Sequence, residues 1–368
     1  MKADVVVLGG GYAGISAAKR LTRHPGVQVT LVNPGADFVE RIRLHQYIAG
    51  THRAHRPLRS VLPDAVRIVT ATAQVIDARH HCVRTDSGDE IGYDHLVYAP
   101  GSHTDATGIT GAAEHAVSLG TRAEADRARL RLADLPAGAT VTVIGGGLTG
   151  IETAAELAET GAVRVRLVTG ELGHSLSARG RARARTALAA LGVTVVDQAS
   201  VAAIAQDKIT LTDGAVLGTD LAITTTAFAP SDLARSSGLE VDAAGAMLVD
   251  DTLVSTTSPN IVGAGDAVAL HTNPLRMSCQ AAVPCGVHAA ETILRVLTGR
   301  EPKPLRRKYI GQSVSLGRRD ALIQFSDPTD RPLPAVLTGH AAALLKEQVC
   351  RATLRGGQLG PLRTSWTW

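Results

Sequence analysis

Aromatic side chains, cysteines and long apolar runs are all scarce in this sequence of 368 residues. Aromatic residues make up only 3%, so the hydrophobic cores must be built from Ala, Val, Leu and Ile. Four dispersed cysteines argue against a disulfide framework. No run approaches the ~18 apolar residues of a membrane-spanning helix. The opening MKADVVVLGGG has the pattern of a strand and a glycine turn, not of a signal peptide, so we expect a cytoplasmic protein.

Clustered positive charge is missing as well. The net charge of +4 comes from dispersed arginines, and no basic run is interleaved with aromatic residues. We therefore expect no nucleic-acid partner. No Cys/His cluster has zinc spacing, so no metal site is predicted. With 45% hydrophobic and 20% charged residues, the chain has the composition of a globular protein long enough for two or three domains.

One segment of the chain occurs twice. VVVLGGGYAGISAAKRLTRHPGVQVTLVN occupies residues 5–33, and VTVIGGGLTGIETAAELAETGAVRVRLVT occupies residues 141–169. The two align without a gap. Each reads as an apolar strand, a glycine turn, an amphipathic helix and a second apolar strand, which is one βαβ unit. The repeat predicts two similar parallel-sheet units.

Each copy carries the spacing G-x-G-x-x-G at its turn. The first glycine allows a tight turn, the second lets the backbone approach a pyrophosphate, and the third lets the helix pack on the strand. The free N–H groups of the helix then favour the phosphates. A single motif is weak evidence, but two in full βαβ context predict two dinucleotide sites. The predicted binding residues are Gly9, Gly11, Tyr12, Ala13 and Gly14 in the first copy and Gly145, Gly147 and Gly150 in the second.

Two further segments end in small-residue turns. YDHLVYAPGS (93–102) contains Ala99 and Gly101, and SPNIVGAGDAV (258–268) contains Gly265 and Asp266. With the two glycine motifs, these turns resemble the pyridine-nucleotide–disulfide oxidoreductase superfamily of flavoproteins. In that family the first motif binds FAD, the second binds NAD(P)H, and the Gly-Asp turn completes the FAD site.

The resemblance implies an α/β fold with two Rossmann-like dinucleotide-binding domains. The FAD domain would be discontinuous, at residues 1–105 and 250–300, and the NAD(P)H domain would be inserted between them at residues 106–249. A small C-terminal α+β region would follow at residues 301–368.

Residue types that are absent from certain segments of this sequence distinguish between the branches of this family. No cysteine precedes Cys82 and none occurs in 106–249, so the disulfide-reductase, thioredoxin-reductase and sulfide:quinone patterns fit poorly. The only tryptophans, Trp366 and Trp368, exclude the flavin-monooxygenase motif. What remains resembles the type II NADH:quinone oxidoreductases, which imply hydride transfer from NAD(P)H to flavin and reduction of a quinone or other small acceptor.

The resemblance also assigns roles to polar residues. Asn33 ends the second strand of the first unit, where the family contacts the adenosine ribose, and Arg41 and Arg43 would meet the adenosine or pyrophosphate. In the second unit Glu152 would contact the nicotinamide carboxamide. Thr169 ends the corresponding strand.

The nicotinamide preference rests on Glu171, which follows Thr169 closely. Its charge would repel the 2′-phosphate of NADPH, so NADH is favoured. Arg179 and Arg181 lie nearby and keep NADPH open as an alternative. Phe228 is expected to belong to the core and not to contact the nicotinamide.

The acceptor side is predicted around RMSCQAAVPCG (276–286). The quinone-reducing relatives read A-Q-x-x-x-Q here, whereas this chain has Cys279, Gln280 and Cys285. We expect these residues to line the acceptor side of the flavin, with a Cys279–Cys285 redox pair as the alternative. A helix is expected to start at Cys285. His45, if it titrates near neutral pH, would supply a proton to the acceptor.

The C-terminal segment is compatible with two kinds of partner. The segment 338–357 reads as one amphipathic helix, and Trp366 and Trp368 follow it. These residues suit either peripheral contact with the inner face of a membrane or packing within a homodimer. Two functions compete with reduction of a quinone. One is a tailoring oxidoreductase for a specialised metabolite, and the other is a redox-sensing flavoprotein resembling apoptosis-inducing factor.

Overall fold

The computed structural model describes residues 2–105, 107–270, 275–306 and 308–355. Trp366 and Trp368 therefore lie outside the described residues. From residue 2 to residue 105 the strands and helices are β1 (Ala3–Leu8), α1 (Tyr12–Leu21), β2 (Val27–Asn33), β3 (Asp37–Val39), α2 (Leu44–Ile48), β4 (His55–Pro57), α3 (Leu58–Val61), β5 (Val66–Thr70), β6 (Ala73–Asp77), β7 (Cys82–Thr85), β8 (Glu90–Gly92), β9 (His95–Tyr98) and β10 (Ser102–Thr104).

The middle of the chain holds the second copy of the repeat. Its strands and helices are α4 (Ala112–His115), β11 (Ala116–Ser118), α5 (Arg122–Ala133), β12 (Thr140–Ile144), α6 (Leu148–Glu159), β13 (Arg164–Val168), α7 (Ala178–Ala190), β14 (Thr194–Val196), β15 (Val201–Ile204), β16 (Lys208–Leu211), β17 (Val216–Gly218), β18 (Leu221–Thr224), β19 (Phe228–Pro230), α8 (Leu233–Ser236) and β20 (Met247–Val249).

The last part of the chain returns to the first unit and then forms a small sheet and a helix. The elements are β21 (Ile261–Gly263), β22 (Val268–Leu270), α9 (Cys279–Leu297), β23 (Gly311–Ser315), β24 (Ala321–Ser326), β25 (Pro332–Thr338) and α10 (His340–Arg355). Among the described helices, none is long and apolar enough to cross a membrane.

Two five-stranded parallel sheets form the frame of the molecule. The first has the order β21-β9-β1-β2-β5 and the second β11-β18-β12-β13-β14. In both, the central strand is the first strand of a repeat, and its residues are almost fully buried, as in Val5–Leu8 and Val141–Ile144. Such continuous apolar strands are typical of parallel sheets covered by helices on both faces. The predicted α/β fold with two Rossmann-like units is confirmed.

Strand β21 shows how the chain returns to the first sheet. Ile261 pairs with Leu96 and Gly263 with Tyr98, both in parallel register. The first sheet thus combines strands from both sides of the second. A two-stranded ribbon of β10 and β19 lies where the chain passes between the two sheets, with Ser102 opposite Pro230.

Helices α1 and α9 pack very closely over the first sheet. A Cβ atom on Gly286 would lie 2.0 Å from the carbonyl oxygen of Ala13, so only glycine permits this approach. Helix α9 begins at Cys279 and not at Cys285, because the Ser278 hydroxyl accepts a hydrogen bond from Ala281 N at 3.3 Å and caps it. Pro284 consequently lies inside the helix, where it donates no hydrogen bond.

The C-terminal sheet β23-β24-β25 is antiparallel and packs on the second unit. Val314, Leu316 and Leu322 belong to the same buried core as Ile151 and Leu157 of α6. Helix α10 contacts this sheet and α9, so it spans both units along one side of the molecule.

Candidate functional site

One large cavity lies between the two glycine turns and has a volume of about 1810 Å³. A site for one drug-sized ligand measures ~300–1,000 Å³, so this cavity has room for more than one molecule. Sixteen of the predicted site residues line it, namely Gly11, Tyr12, Ala13, Asn33, Arg41, His45, Ala99, Gly101, Gly145, Gly147, Glu152, Thr169, Gly265, Asp266, Cys279 and Gln280. Gly9, Gly14, Arg43, Gly150 and Cys285 are not part of its wall.

The two glycine turns have the same internal geometry. A Cβ atom on Gly14 would lie 1.9 Å from Gly9 O, and one on Gly150 would lie 1.8 Å from Gly145 O. Gly9 and Gly145 also have φ values of +97° and +119°, which L-residues rarely adopt. These glycines are required for the turns to close and for the helices to pack behind them.

The middle glycine of each turn faces the cavity. A Cβ atom on Gly11 would meet no protein atom within 4 Å, and one on Gly147 would meet only His174, at 4.0 Å. Both residues precede helices that have no side-chain cap at the N-terminus. Free N–H groups therefore face open space at both turns, and the residues present fit the pyrophosphates of two dinucleotides.

Asn33 stabilises the first glycine turn through two hydrogen bonds to the backbone. Its Oδ1 accepts a hydrogen bond from Gly10 N at 2.8 Å, and its Nδ2 donates one to Gly35 O at 2.7 Å. The amide thus uses one donor and one acceptor within the protein. The remaining hydrogen and lone pair are available for a ribose hydroxyl, which the sequence predicted as its partner.

The Gly-Asp turn lies beside Arg41, whose Nη1 is 3.7 Å from Asp266 Oδ2. Ser102 Oγ donates a hydrogen bond to Asp266 Oδ2 at 3.0 Å, and Arg41 Nη1 donates one to Ser102 Oγ at 3.1 Å. Burial raises the pKa of Asp266, although the Arg41 charge opposes this. The Arg41 guanidinium lies 5.2 Å from the centre of the Phe228 ring. Phe228 therefore lines the cavity, and its assignment to the core was wrong.

Thr169 and Glu171 line the far end of the second unit. The carboxylate of Glu171 forms an ion pair with Arg181 at 3.0 Å. Arg181 also donates a hydrogen bond to Leu176 O at 3.2 Å. This end of the cavity therefore presents a carboxylate and a guanidinium that partly neutralise each other.

Arg43 does not reach the cavity. Its side chain is 2% exposed and forms a bidentate ion pair with Glu347 of α10, in which Nη1 lies 2.9 Å from Oε2 and Nη2 lies 3.0 Å from Oε1. It also donates hydrogen bonds to Glu40 and Gln46, each at 3.1 Å. The guanidinium ties α10 to the first unit, and in this structure it is not positioned to meet a cofactor phosphate.

Glu152 is the centre of a buried polar cluster. Its Oε1 accepts hydrogen bonds from Lys346 Nζ and from Ser315 N, the latter at 2.9 Å. Its Oε2 lies 3.8 Å from His45 Nδ1. Burial raises the pKa of Glu152, but the Lys346 charge and the hydrogen bonds from Lys346 and Ser315 outweigh it and lower the pKa overall. The carboxylate thus stays ionised on the cavity wall.

His45 does not titrate near neutral pH as the sequence suggested. Burial lowers its pKa to about 4, and the nearby Glu152 offsets only part of this effect. Its Nε2 is buried without a hydrogen-bond partner among the described residues. At neutral pH the ring is uncharged, so it is not a store for a proton taken from water.

The two cysteines of the acceptor segment have different positions. Cys279 lines the cavity, whereas Cys285 is fully buried and its Sγ accepts a hydrogen bond from Gly265 N at 3.4 Å. Burial raises the pKa of Cys279 to about 11 and that of Cys285 to about 12. Both are free thiols, so the structure contains no Cys279–Cys285 disulfide. Cys285 packs behind the Gly-Asp turn and is not brought to the acceptor side.

Gln280 is held by an arginine that the sequence reasoning did not select. Arg276 Nη2 donates a hydrogen bond to Gln280 Oε1 at 2.9 Å. Its Nη1 donates one to Asp330 at 2.8 Å, and its guanidinium lies 4.8 Å from the centre of the Tyr309 ring. Within the described residues, no group of His, Cys, Asp and Glu is arranged to hold a metal ion.

Comparison with known proteins identifies the family. The sequence profile of the pyridine nucleotide-disulphide oxidoreductases matches residues 3–286. The chain belongs to this family. It is 31% identical over 346 residues to an NADH dehydrogenase-like protein of Mycobacterium tuberculosis, covering 86% of each chain. It is 25% identical over 372 residues to a demethylphylloquinone reductase of Synechocystis, covering 94% of this chain and 90% of that one.

Solved structures have the same fold. A sulfide:quinone oxidoreductase from Aquifex aeolicus superposes with a TM-score of 0.82 and 23% identity, covering 98% of this chain and 93% of that one. An NDH2 of Plasmodium falciparum in complex with NADH also gives 0.82, with 14% identity and coverage of 96% and 97%. The predicted relationship to the type II NADH dehydrogenase branch is confirmed.

This oxidoreductase uses FAD and NAD(P)H, as the sequence predicted. It takes hydride from NAD(P)H onto flavin and passes the electrons to a small acceptor molecule. The flavin supplies the redox chemistry when it is bound. The protein supplies the two glycine turns, the Asp266 turn and the walls of the cavity.

Lys346 is the main residue of this oxidoreductase's cavity that sequence reasoning missed. The sequence of α10 nevertheless carries a signal, since Ala342, Lys346 and Cys350 recur every four residues. All three are buried. A lysine on the buried stripe of an amphipathic helix has a partner, and that partner is the carboxylate of Glu152.

Proposed function

We propose that this flavoenzyme oxidises NADH and reduces a quinone. One observation supports the choice of a quinone as the acceptor. Five large apolar side chains line the cavity and are still substantially exposed, so they form an apolar mouth: Met277, Ile310, Phe325, Leu345 and Val349. Exposed apolar surface at a cavity mouth favours a flat, poorly water-soluble acceptor. The name of the Synechocystis relative, a demethylphylloquinone reductase, supports the same class.

The two cofactors have separate places in this proposal. FAD lies along Gly11, Asn33 and Asp266, with Arg41 near its phosphates, and the nicotinamide nucleotide lies along Gly147 and Thr169. Glu152 Oε2 orients the nicotinamide carboxamide, because Oε1 is already occupied by Lys346 and Ser315. Residues 1–105 with 250–300 form the FAD domain, 106–249 the NAD(P)H domain, and 301–368 the C-terminal region.

Cys279 and Gln280 stand on the acceptor side of the flavin in this proposal. Arg276 positions Gln280 by its hydrogen bond to Oε1. The thiol of Cys279 stays protonated, since burial raises its pKa to about 11. It therefore contributes packing and not nucleophilic chemistry.

NADH is the preferred donor in this proposal because Glu171 lines the end of the cavity at which the adenosine would bind. A carboxylate accepts hydrogen bonds from a ribose diol but repels a 2′-phosphate. Arg181, the cation suited to a phosphate, is already paired with Glu171.

We propose a cytoplasmic enzyme whose apolar mouth touches the inner face of a membrane. Co-sedimentation with anionic vesicles tests this contact, and substitution of Leu345 and Val349 by serine should weaken it. A homodimer that buries the same mouth is the alternative, and sedimentation velocity of the purified protein separates the two.

The central experiment follows the flavin spectrum of the purified protein. NADH should bleach the flavin rapidly, and a short-chain quinone should restore the spectrum faster than oxygen or a disulfide does. Absence of bound flavin, or of bleaching, would contradict the assignment to an NADH-oxidising flavoenzyme. Bleaching without reoxidation by any quinone would instead support a tailoring enzyme or a redox sensor.

A further inference from the structure

His174 lies beside the second glycine turn, on the loop between β13 and α7. Its side chain is exposed and lines the large cavity. A Cβ atom on Gly147, the middle glycine of the turn, would have a single protein atom within 4 Å, which is Cε1 of His174. The imidazole therefore borders the open space that this turn leaves for a pyrophosphate.

The loop that carries His174 is held on both sides of this residue. Gly173 N donates a hydrogen bond to Gly146 O at 2.7 Å, which joins the loop directly to the glycine turn. Ser175 Oγ donates one to Gln312 Oε1 at 3.0 Å, and Gln312 Nε2 donates one to Ser175 O at 2.7 Å. Because these bonds hold both neighbours, the backbone keeps the imidazole beside the turn.

Within residues 107–249, two basic side chains line the cavity, those of Arg122 and His174. Arg122 is paired with Asp126 at 2.9 Å, and its guanidinium lies 4.8 Å from the centre of the Tyr47 ring. His174 forms no hydrogen bond or ion pair within the described part of the chain. Its ring nitrogens are therefore available for an anion in the cavity.

The rest of the second turn favours an anion but supplies no full charge. Helix α6 begins without a side-chain cap and without an acidic residue in its first turn, so its free N–H groups and its dipole favour negative charge. These groups carry only partial positive charges, whereas the pyrophosphate of a dinucleotide is a dianion. A cation beside the turn would offset the charge that the backbone leaves unbalanced.

We propose that the protonated imidazole of His174 binds the pyrophosphate of the nicotinamide nucleotide, so that the affinity for NADH depends on pH. The inference rests on the proposed place of this nucleotide at the second glycine turn. Histidine is the side chain whose charge ordinarily changes between about pH 5 and pH 8. Since the charge favours binding of a dianion, NADH binds more tightly as the pH falls across this range.

The other charged groups of this region keep their charge between about pH 5 and pH 8. Carboxylates and guanidinium groups ordinarily do so. The pKa of Glu152 is lowered by Lys346, and burial lowers the pKa of His45 to about 4, so its ring is neutral throughout. The groups on the surrounding elements are Glu171 on the same loop, Arg179 and Arg181 on α7, Glu152 on α6, His45 on α2 and Lys346 on α10.

Equilibrium binding of ADP-ribose to the flavin-loaded protein tests the contact without turnover. ADP-ribose keeps the pyrophosphate of NADH but lacks the nicotinamide, so it exchanges no hydride with the flavin. We expect His174→Gln to raise the Kd of ADP-ribose by roughly 10-fold at about pH 6, the value of one charge-assisted hydrogen bond, and to leave it nearly unchanged at about pH 8.5. His340→Gln is the matched control, because His340 is exposed and does not line the large cavity.

A permanent cation at the same position separates the effect of charge from that of packing. His174→Lys should bind ADP-ribose roughly 10-fold more tightly than the native protein at about pH 8.5, because the ammonium stays charged there. Equal affinities of the native protein and both variants would overturn the proposal. A loss in His174→Gln of the same size at both pH values would mean that the ring acts by its shape, and would overturn it as well.

A comparison of NADH with NADPH shows which phosphate the imidazole meets. Both donors contain the pyrophosphate, but only NADPH contains a 2′-phosphate. A contact with the pyrophosphate predicts that His174→Gln raises the apparent Kd of both donors by the same factor, measured from the concentration dependence of flavin bleaching at about pH 6. A rise for NADPH alone would place His174 at the 2′-phosphate and would contradict the proposal.

The failure of this inference is distinguishable from failure of the proposed function. If NADH does not bleach the flavin of the native protein, the proposed function is wrong, whatever His174 does. If NADH bleaches the native flavin and His174→Gln binds ADP-ribose as tightly as the native protein at about pH 6, only the role of His174 is wrong. None of these measurements uses a quinone, so the identity of the acceptor does not affect their outcome.

Discussion

At the scale of single residues, the proposed preference for NADH over NADPH rests on the Glu171–Arg181 ion pair. Both groups are partly exposed, so their mutual attraction is worth little by itself. Its effect in the proposal is on recognition, since the Glu171 carboxylate pairs with the Arg181 guanidinium and keeps it from binding a phosphate. Freed from Glu171, Arg181 offers a planar pair of donors suited to a phosphate.

We expect Glu171→Gln to raise kcat/KM for NADPH relative to NADH by roughly 10-fold, the value of one charge-assisted hydrogen bond. Steady-state assays with both donors and one fixed acceptor measure this ratio. Adding Arg181→Met should abolish the gain, whereas adding Arg179→Met should preserve it. A gain that survives the loss of Arg181 would show that repulsion alone, and not the released arginine, decides the preference.

At the scale of elements, α10 depends on buried charge to stay docked. Its polar side chains Lys346 and Glu347 face Glu152 and Arg43 in the two units. Removing one member of a buried ion pair leaves the other charge uncompensated, which costs more than the intact pair contributes. The helix is thus held in one position by contacts that tolerate little change.

We expect Arg43→Met to lower the free energy of unfolding by about 3 kcal/mol, because it removes the four hydrogen bonds of a buried guanidinium and leaves the buried Glu40 carboxylate with Arg56 alone. Glu347→Gln should cost about 1 kcal/mol, since the amide still accepts one hydrogen bond. Chemical denaturation of both variants measures the two values. A smaller loss for Arg43→Met than for Glu347→Gln would contradict this account of the anchor.

The same ion pair gives stability a pH dependence. Burial raises the pKa of Glu347, but hydrogen bonds from Arg43 and Arg351 outweigh it and bring the pKa to about 2. A depressed carboxyl pKa stabilises the fold above its unfolded value of about 4.3. That contribution is lost as the pH falls toward 2. Glu347→Gln should lack this part of the acid transition, and thermal melts between pH 5 and pH 3 compare the two proteins.

At the scale of the whole molecule, the proposed function divides the two cofactors between the two units, with FAD at the first glycine turn and the nicotinamide nucleotide at the second. Gly11 and Gly147 occupy equivalent positions in the two repeats and face the cavity, not the core. Their φ values of −80° and −66° are accessible to any residue. A side chain added at either position therefore blocks a phosphate site without straining the fold.

We expect Gly11→Val to yield a folded protein without bound flavin. Gly147→Val should retain the flavin but should not be bleached by NADH. Absorbance spectra before and after addition of NADH measure both outcomes, with far-UV circular dichroism as the control for folding. Flavin loss in Gly147→Val, or its retention in Gly11→Val, would contradict the assignment of the two turns.

The sequence by itself determined the two parallel-sheet units, the glycine turns and the Gly-Asp turn. Each depends on residues within one local segment, where apolar periodicity and glycine spacing act directly on the backbone. Only the tertiary structure decided the positions of Arg43, Phe228, Cys285 and Lys346. The roles of Arg43, Phe228 and Lys346 depend on neighbours more than a hundred residues away in the chain, which are Glu347, Arg41 and Glu152 respectively. Burial and pairing with such distant groups set the charge of a side chain, which is why His45 is neutral and Lys346 charged on the wall of one cavity.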